Sequence, residues 1–173
     1  MSFDLDTLFL DRDGVINMKL ESDYVKNISE FQFISGVLLA LNKLSRIFER
    51  IIVVTNQQCI GKGIISDLEL ASVHQYMISQ IRNTGGKIDR VYYCPHLVSD
   101  QCNCRKPKSG MILQAMSDFS SIKTDKSYLI GDSDSDIEAG KKENLHTIKV
   151  DNNYTLIDWT NDLLKNLQSK KLD

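Results

Sequence analysis

Two aspartates, Asp11 and Asp13, stand where an apolar run ends. The run is Leu8-Phe9-Leu10, and it stops at Asp11-Arg12-Asp13-Gly14. Side chains at i and i+2 of an extended chain project the same way, so the two carboxylates are expected to converge while Arg12 points elsewhere. Like charges held together need a cation or a proton between them. Such a pair suits a nucleophile beside a general acid/base, around a metal; a polar loop after a core strand is the plainer alternative. Three more polar clusters follow. Thr55-Asn56 ends the apolar run at 50–54, Arg105-Lys106 follows a cysteine-rich loop, and Asp132 and Asp136 follow the run at 126–130. Asp11, Asp13, Asp132 and Asp136 are hard oxygen donors of the kind that holds Mg²⁺. The Thr55 hydroxyl, the Asn56 amide and the Lys106 ammonium would cradle phosphoryl oxygens. Phosphoryl transfer asks for little beyond in-line positioning and neutralised charge. The acidic run at 132–136 lacks the central glycine and distal glutamate of a calcium loop, which argues against that use.

A second constellation is Cys94-Pro95-His96 followed by Cys102-Asn103-Cys104. Two close pairs separated by five residues can wrap one tetrahedral Zn²⁺. Four protein ligands leave no open position, so the zinc would be structural and would staple a loop with little core of its own. Because Arg105 and Lys106 come directly after the last ligand, the staple would position both. Cys59 is expected to be a packed thiol, and no role is assigned to His74 or His146.

These clusters need elements to carry them. Residues 7–10, 50–54, 87–93, 126–130 and 147–150 read as strands, by continuous or alternating apolar character. Residues 36–48, 66–82, 109–119 and 155–169 have helical spacing, and Ser66 with Glu69 forms a capping box. Ser135 with Glu138 is expected to cap a short helix closing at Gly140. Residues 14–35 read as a small flap. Regular alternation of strand and helix predicts an α/β fold with a parallel sheet covered on both faces. Ligands of such sheets bind beyond the carboxyl ends of the strands, where all four polar clusters fall.

The chain has 173 residues, 42% of them apolar, which suits a single domain over 1–173 with the zinc loop at 94–104. Lys plus Arg is 21 and Asp plus Glu is 23, a balance of −2 that disfavours a nucleic-acid partner. No apolar run approaches the ~20 residues of a membrane span, and no secretory signal is evident. A cytoplasmic monomer with reduced thiols is therefore expected, acting on a small molecule.

In LFLDRDGVIN, VVTNQ, the lysine of RKPKSGM and GDSDSD, taken in that order, the chain resembles the haloacid dehalogenase (HAD) superfamily of phosphohydrolases. The resemblance implies a Rossmann-like domain with a small flap and no large cap. It implies that Asp11 attacks phosphorus and that Asp13 protonates the leaving oxygen, then activates water. Thr55 and Lys106 would bind the phosphoryl group, and Mg²⁺ would be held by Asp11, the backbone carbonyl of Asp13 and Asp132. Asp136 would orient the metal site without ligating it. The zinc loop is similar to those of two groups within the family, phosphatases of D-glycero-D-manno-heptose 1,7-bisphosphate and of histidinol phosphate. The His96–Cys102 spacing resembles the histidinol group. DRDGVIN, Tyr24-Val25, TNQQCIGKG and RKPKSGM resemble the heptose group, which is the reading adopted, with a sugar phosphate as substrate and Arg105 gripping its distal phosphate or hydroxyls. Nucleic-acid 3′-phosphatases share DxDG and TNQ, but the zinc loop and the lack of a basic stretch argue against them. Residues 17–24 are two longer than the usual heptose pattern.

Overall fold

Five strands pair side by side as one parallel sheet in the computed structural model, which describes residues 5–169. The strands are β1 (Leu5–Leu10), β2 (Phe48–Asn56), β3 (Arg90–Cys94), β4 (Tyr128–Gly131) and β5 (His146–Lys149), in the spatial order β3-β2-β1-β4-β5. β1 is central, with Leu8 opposite Ile51 on one side and Tyr128 on the other. The strand order reverses at β1, and a crevice opens beyond its carboxyl end at such a point.

Alternate residues of each strand feed two separate cores. Leu8, Leu10, Ile51, Val53 and Ile130 pack under α1 (Val37–Leu44), α2 (Asp67–Asn83) and α5 (Leu156–Ser169). Phe9, Ile52, Val54 and Leu129 pack under α3 (Gly110–Asp118) and α4 (Asp134–Lys142). The sheet is thus covered on both faces, and its central strands read as unbroken apolar runs because both sides are buried.

Helix α1 ends at Leu44, earlier than the spacing over 36–48 suggests. The Ser45 hydroxyl donates to the Leu41 carbonyl and accepts from the Lys87 backbone N–H, and Phe48 already belongs to β2. Ile47 and Phe48 are buried all the same, so the apolar periodicity ran on through a turn. The expected capping box of α2 is present. The cap of α4 differs: Ser133 and Asp136, not Ser135 and Glu138, frame its start, with Asp136 Oδ2 accepting from the Ser133 N–H and hydroxyl. This earlier frame turns Asp136 back over the end of β4.

Residues 14–35 form the flap. It is stitched by Met18 N–H to Gln32 C=O and by Ile34 N–H to Ile16 C=O, and Phe31 and Phe33 anchor it against Tyr76. Gly131 closes β4 under Asp136, where an added Cβ would overlap Asp136 Cβ. Gly131→Ala is expected to cost about 1–3 kcal/mol through overpacking, read as a lower urea midpoint. An unchanged midpoint would contradict this close approach.

Candidate active site

The buried ammonium of Lys106 ties the end of β1, strand β2 and the start of α4 together. Its Nζ lies 2.8 Å from Asp11 Oδ1, 2.6 Å from Asp136 Oδ1 and 2.7 Å from the Val54 carbonyl. Asp11 follows β1, Val54 lies in β2, and Asp136 sits in the first turn of α4. Lys106 itself comes from the loop between β3 and α3, held by Asn56, whose amide oxygen accepts from the Lys106 N–H and whose amide nitrogen donates to the Lys106 carbonyl. Asn56, expected to touch phosphate, thus has its carboxamide engaged in bracing the lysine backbone.

One buried cation faces more than one anion. Carboxylate oxygens of Asp11, Asp132 and Asp136 lie within 4.8 Å of one another. Burial pushes Asp11 up to about 7, and the charges of Asp136 and Asp13 add to this while Lys106 opposes it. Burial also works against the charge on Lys106, but Asp11 and Asp136 outweigh it and hold the ammonium above its usual range. Among the described residues, Asp132 Oδ1 is buried without a hydrogen-bond partner, while its Oδ2 takes the exposed Lys19 ammonium at 2.6 Å. Gly14, at φ +87°, lets the backbone pass Asp132 where a Cβ would lie 2.5 Å from that Oδ2. Three converging carboxylates with an orphaned oxygen fit a hard divalent cation such as Mg²⁺. Asp136, expected outside the ligand set, stands inside this trio by geometry and is shared with Lys106.

The Asp13 carboxylate faces a different set of partners. Arg12 Nη2 donates to both oxygens at 2.9 and 3.0 Å, Asn17 donates to Oδ1 at 2.9 Å, and Gln57 to Oδ2 at 2.8 Å. Burial alone would raise its pKa, but Arg12, Asn17 and Gln57 hold it below the usual carboxylate range. Arg12 therefore does not point elsewhere. The chain bends after Asp11, and the guanidinium folds back onto its neighbour. The same Gln57 amide donates to Thr55 Oγ1 at 2.9 Å, fixing the buried Thr55 hydroxyl at the end of β2.

A cavity of about 260 Å³ lies over these groups, lined among others by Asp11, Asp13, Thr55, Arg105, Lys106 and Asp132. The sequence-selected residues are thereby gathered in one place. Arg12, Asn17 and Gln57 were not singled out in the sequence. Arg12 and Gln57 lie in DRDG and TNQQ, and their enclosure in polar runs next to strand ends was the available signal.

The four expected zinc ligands also converge. Cys94 Sγ lies 3.5 Å from Cys102 Sγ and 3.6 Å from His96 Nδ1, and Cys104 Sγ lies 3.1 Å from both Cys94 Sγ and His96 Nδ1. Ligands about 2.3 Å from a tetrahedral zinc stand nearly this far apart. Burial opposes ionisation of Cys102, but the Arg105 N–H and the neighbouring thiols bring it to about 7. Cys59 is buried beside Ile65 and Leu70, as expected of a packed thiol.

Residues 103–166 match a family model described as HAD-hydrolase-like. A D-glycero-alpha-D-manno-heptose-1,7-bisphosphate 7-phosphatase of Mycobacterium tuberculosis is 40% identical over 131 residues, covering 76% of this chain and 69% of that one. The chain belongs to the HAD-like phosphatases. A D-glycero-beta-D-manno-heptose-1,7-bisphosphate 7-phosphatase of Pasteurella multocida is 37% identical over 140 residues, 78% of this chain and 74% of that one. Two solved structures share the fold: D,D-heptose 1,7-bisphosphate phosphatases from B. bronchiseptica, complexed with magnesium and phosphate, and from Burkholderia thailandensis. The first has a TM-score of 0.80 at 24% identity, covering 94% of this chain and 99% of that one. The second has 0.64 at 23%, covering 92% and 98%. This HAD-like member carries a flap in place of a large cap, and no helix among its described residues is long and apolar enough to cross a membrane.

Asn56→Ala would leave the N–H and C=O of Lys106 without their side-chain partner. The expected cost is about 1–3 kcal/mol in equilibrium unfolding. No loss of stability would mean that the lysine loop is held in some other way.

Proposed function

We propose that this phosphatase removes the 7-phosphate of D-glycero-D-manno-heptose 1,7-bisphosphate through a phosphoaspartate on Asp11. The carrying observation is the Lys106 ammonium, set between Asp11 and Asp136 directly behind the four-ligand loop. The named relatives, of both anomeric descriptions, support the substrate.

Asp11, Asp132 and the backbone carbonyl of Asp13 would hold Mg²⁺, with Asp136 beside them. When bound, the ion supplies positive charge that neutralises the phosphoryl oxygens and the crowded carboxylates. Lys106 and the Thr55 hydroxyl bind the phosphoryl group and keep it in line with Asp11. An Asp11 carboxylate oxygen bonds to phosphorus as the bond from phosphorus to the sugar oxygen breaks. Asp13 gives that oxygen its proton. In the free site Asp13 is held ionised; an incoming phosphate dianion beside it favours uptake of the proton it then donates. Asp13, now a carboxylate, takes a proton from water as the water attacks phosphorus, and Asp11 leaves with its electron pair. The products are inorganic phosphate and a heptose monophosphate. Arg105, at the cavity wall, pairs with the distal phosphate or sugar hydroxyls.

Cys94, His96, Cys102 and Cys104 would hold a structural Zn²⁺ that fixes the segment carrying Arg105 and the buried Lys106. Reduced thiols throughout suit the cytoplasm, and the chain works there as a monomer on a small sugar phosphate.

Purified protein with Mg²⁺ is expected to release phosphate from one or both anomers of the bisphosphate faster than from histidinol phosphate, and Asp11→Asn to abolish turnover. A preference for histidinol phosphate would overturn the substrate, and an active Asp11→Asn the nucleophile. Removal of zinc with a strong chelator, Mg²⁺ then restored, is expected to raise hydrogen exchange across 94–106. Unchanged protection there would contradict the staple.

A further inference from the structure

Asp13 is held by a buried chain of polar groups that begins on helix α2. Arg12, 1% exposed, grips both Asp13 oxygens through Nη2, while its Nη1 lies 3.2 Å from His74 Nε2. His74 sits on the buried face of α2 with Leu70, Val73 and Met77. A guanidinium only donates, so Nε2 accepts and the ring proton is on Nδ1. Burial, together with the charge of Arg12, pushes His74 down to about 3, which keeps the ring neutral and able to accept. Arg12 Nε has no hydrogen-bond partner among the described residues. Its guanidinium plane is therefore set by two contacts: Asp13 on Nη2 and His74 on Nη1. Take away Nε2, and a buried donor is orphaned at the far end of the group that orients Asp13.

We propose that His74 is a positioning residue: through Arg12 it fixes the angle at which the Asp13 carboxyl meets the leaving oxygen of the substrate. This rests on the reading of Asp13 as general acid. The bland alternative is packing alone, since His74 also meets the Tyr93 ring edge-on at 6.0 Å.

Leaving groups separate the two. A sugar alkoxide needs the proton of Asp13 in order to depart, whereas p-nitrophenolate departs without it. The ratio kcat/KM covers only the steps through that departure, so the later attack of water does not enter. His74→Phe keeps a ring and removes the acceptor, and His74→Gln restores one. In His74→Phe, kcat/KM for the sugar bisphosphate is expected to fall roughly 10–100-fold and that for p-nitrophenyl phosphate less than about threefold. His74→Gln is expected to recover most of the loss. Equal losses on both substrates, no loss on either, or a His74→Gln as impaired as His74→Phe would overturn the proposal. His74→Leu repeats the test should His74→Phe not fold. Asp13→Asn, measured alongside, distinguishes the two levels. If it lacks the same leaving-group selectivity, the acid role of Asp13 fails and this inference with it. If Asp13→Asn is selective and His74→Phe is not, only the role of His74 fails.

Discussion

A single ammonium, buried between two carboxylates, is the constraint on which the rest of the site depends. Lys106 reaches Asp11 from β1, Asp136 from α4 and the carbonyl of Val54 from β2. Burying any one of these charges alone is costly, and it becomes tolerable only when the partners are placed with good geometry. The backbone around Lys106 is accordingly held from two sides: Asn56 accepts from and donates to it, and the cysteine–histidine loop precedes it. The early capping frame at Ser133 serves the same end, since it is what turns Asp136 over the end of β4. Even so, one lysine does not balance Asp11, Asp132 and Asp136, and Asp11, whose pKa is raised first by burial, is raised further by the charges of Asp136 and Asp13.

The carboxyls of Asp11 and Asp13, two residues apart, occupy opposite electrostatic settings. Asp11 is crowded by anions and answers to Lys106. Asp13 is surrounded by donors, from Arg12, Asn17 and Gln57, and is held ionised. Environments that push neighbouring titratable groups apart are how one site assigns different roles to like side chains. Here the separation comes from the bend after Asp11, which lets Arg12 fold back.

Much of this was legible in the sequence. The unbroken apolar character of residues 8–10 and 51–54 reflects strands buried on both faces, and the abrupt polar stops mark where they enter the crevice. The spacing of Cys94, His96, Cys102 and Cys104 pointed to their convergence in one cluster. What was hidden depends on tertiary direction. Whether Arg12 points away or folds back is decided by the turn after β1, not by residue type. The two frames for capping α4, Ser133–Asp136 and Ser135–Glu138, satisfy the same local rule, and only packing against Gly131 and Lys106 chooses between them. His74 looks like any polar residue on a helix until the residue beneath it is known to be a buried arginine.

The most direct measurement is a double-mutant cycle on the buried pair, Lys106→Met and Asp136→Asn alone and together, by equilibrium unfolding without Mg²⁺. Lys106→Met alone is expected to cost about 3 kcal/mol or more, because it leaves buried carboxylates facing one another. Adding Asp136→Asn is expected to return part of that loss, a coupling of about 1–3 kcal/mol. Losses that simply add would contradict a site organised around this ammonium.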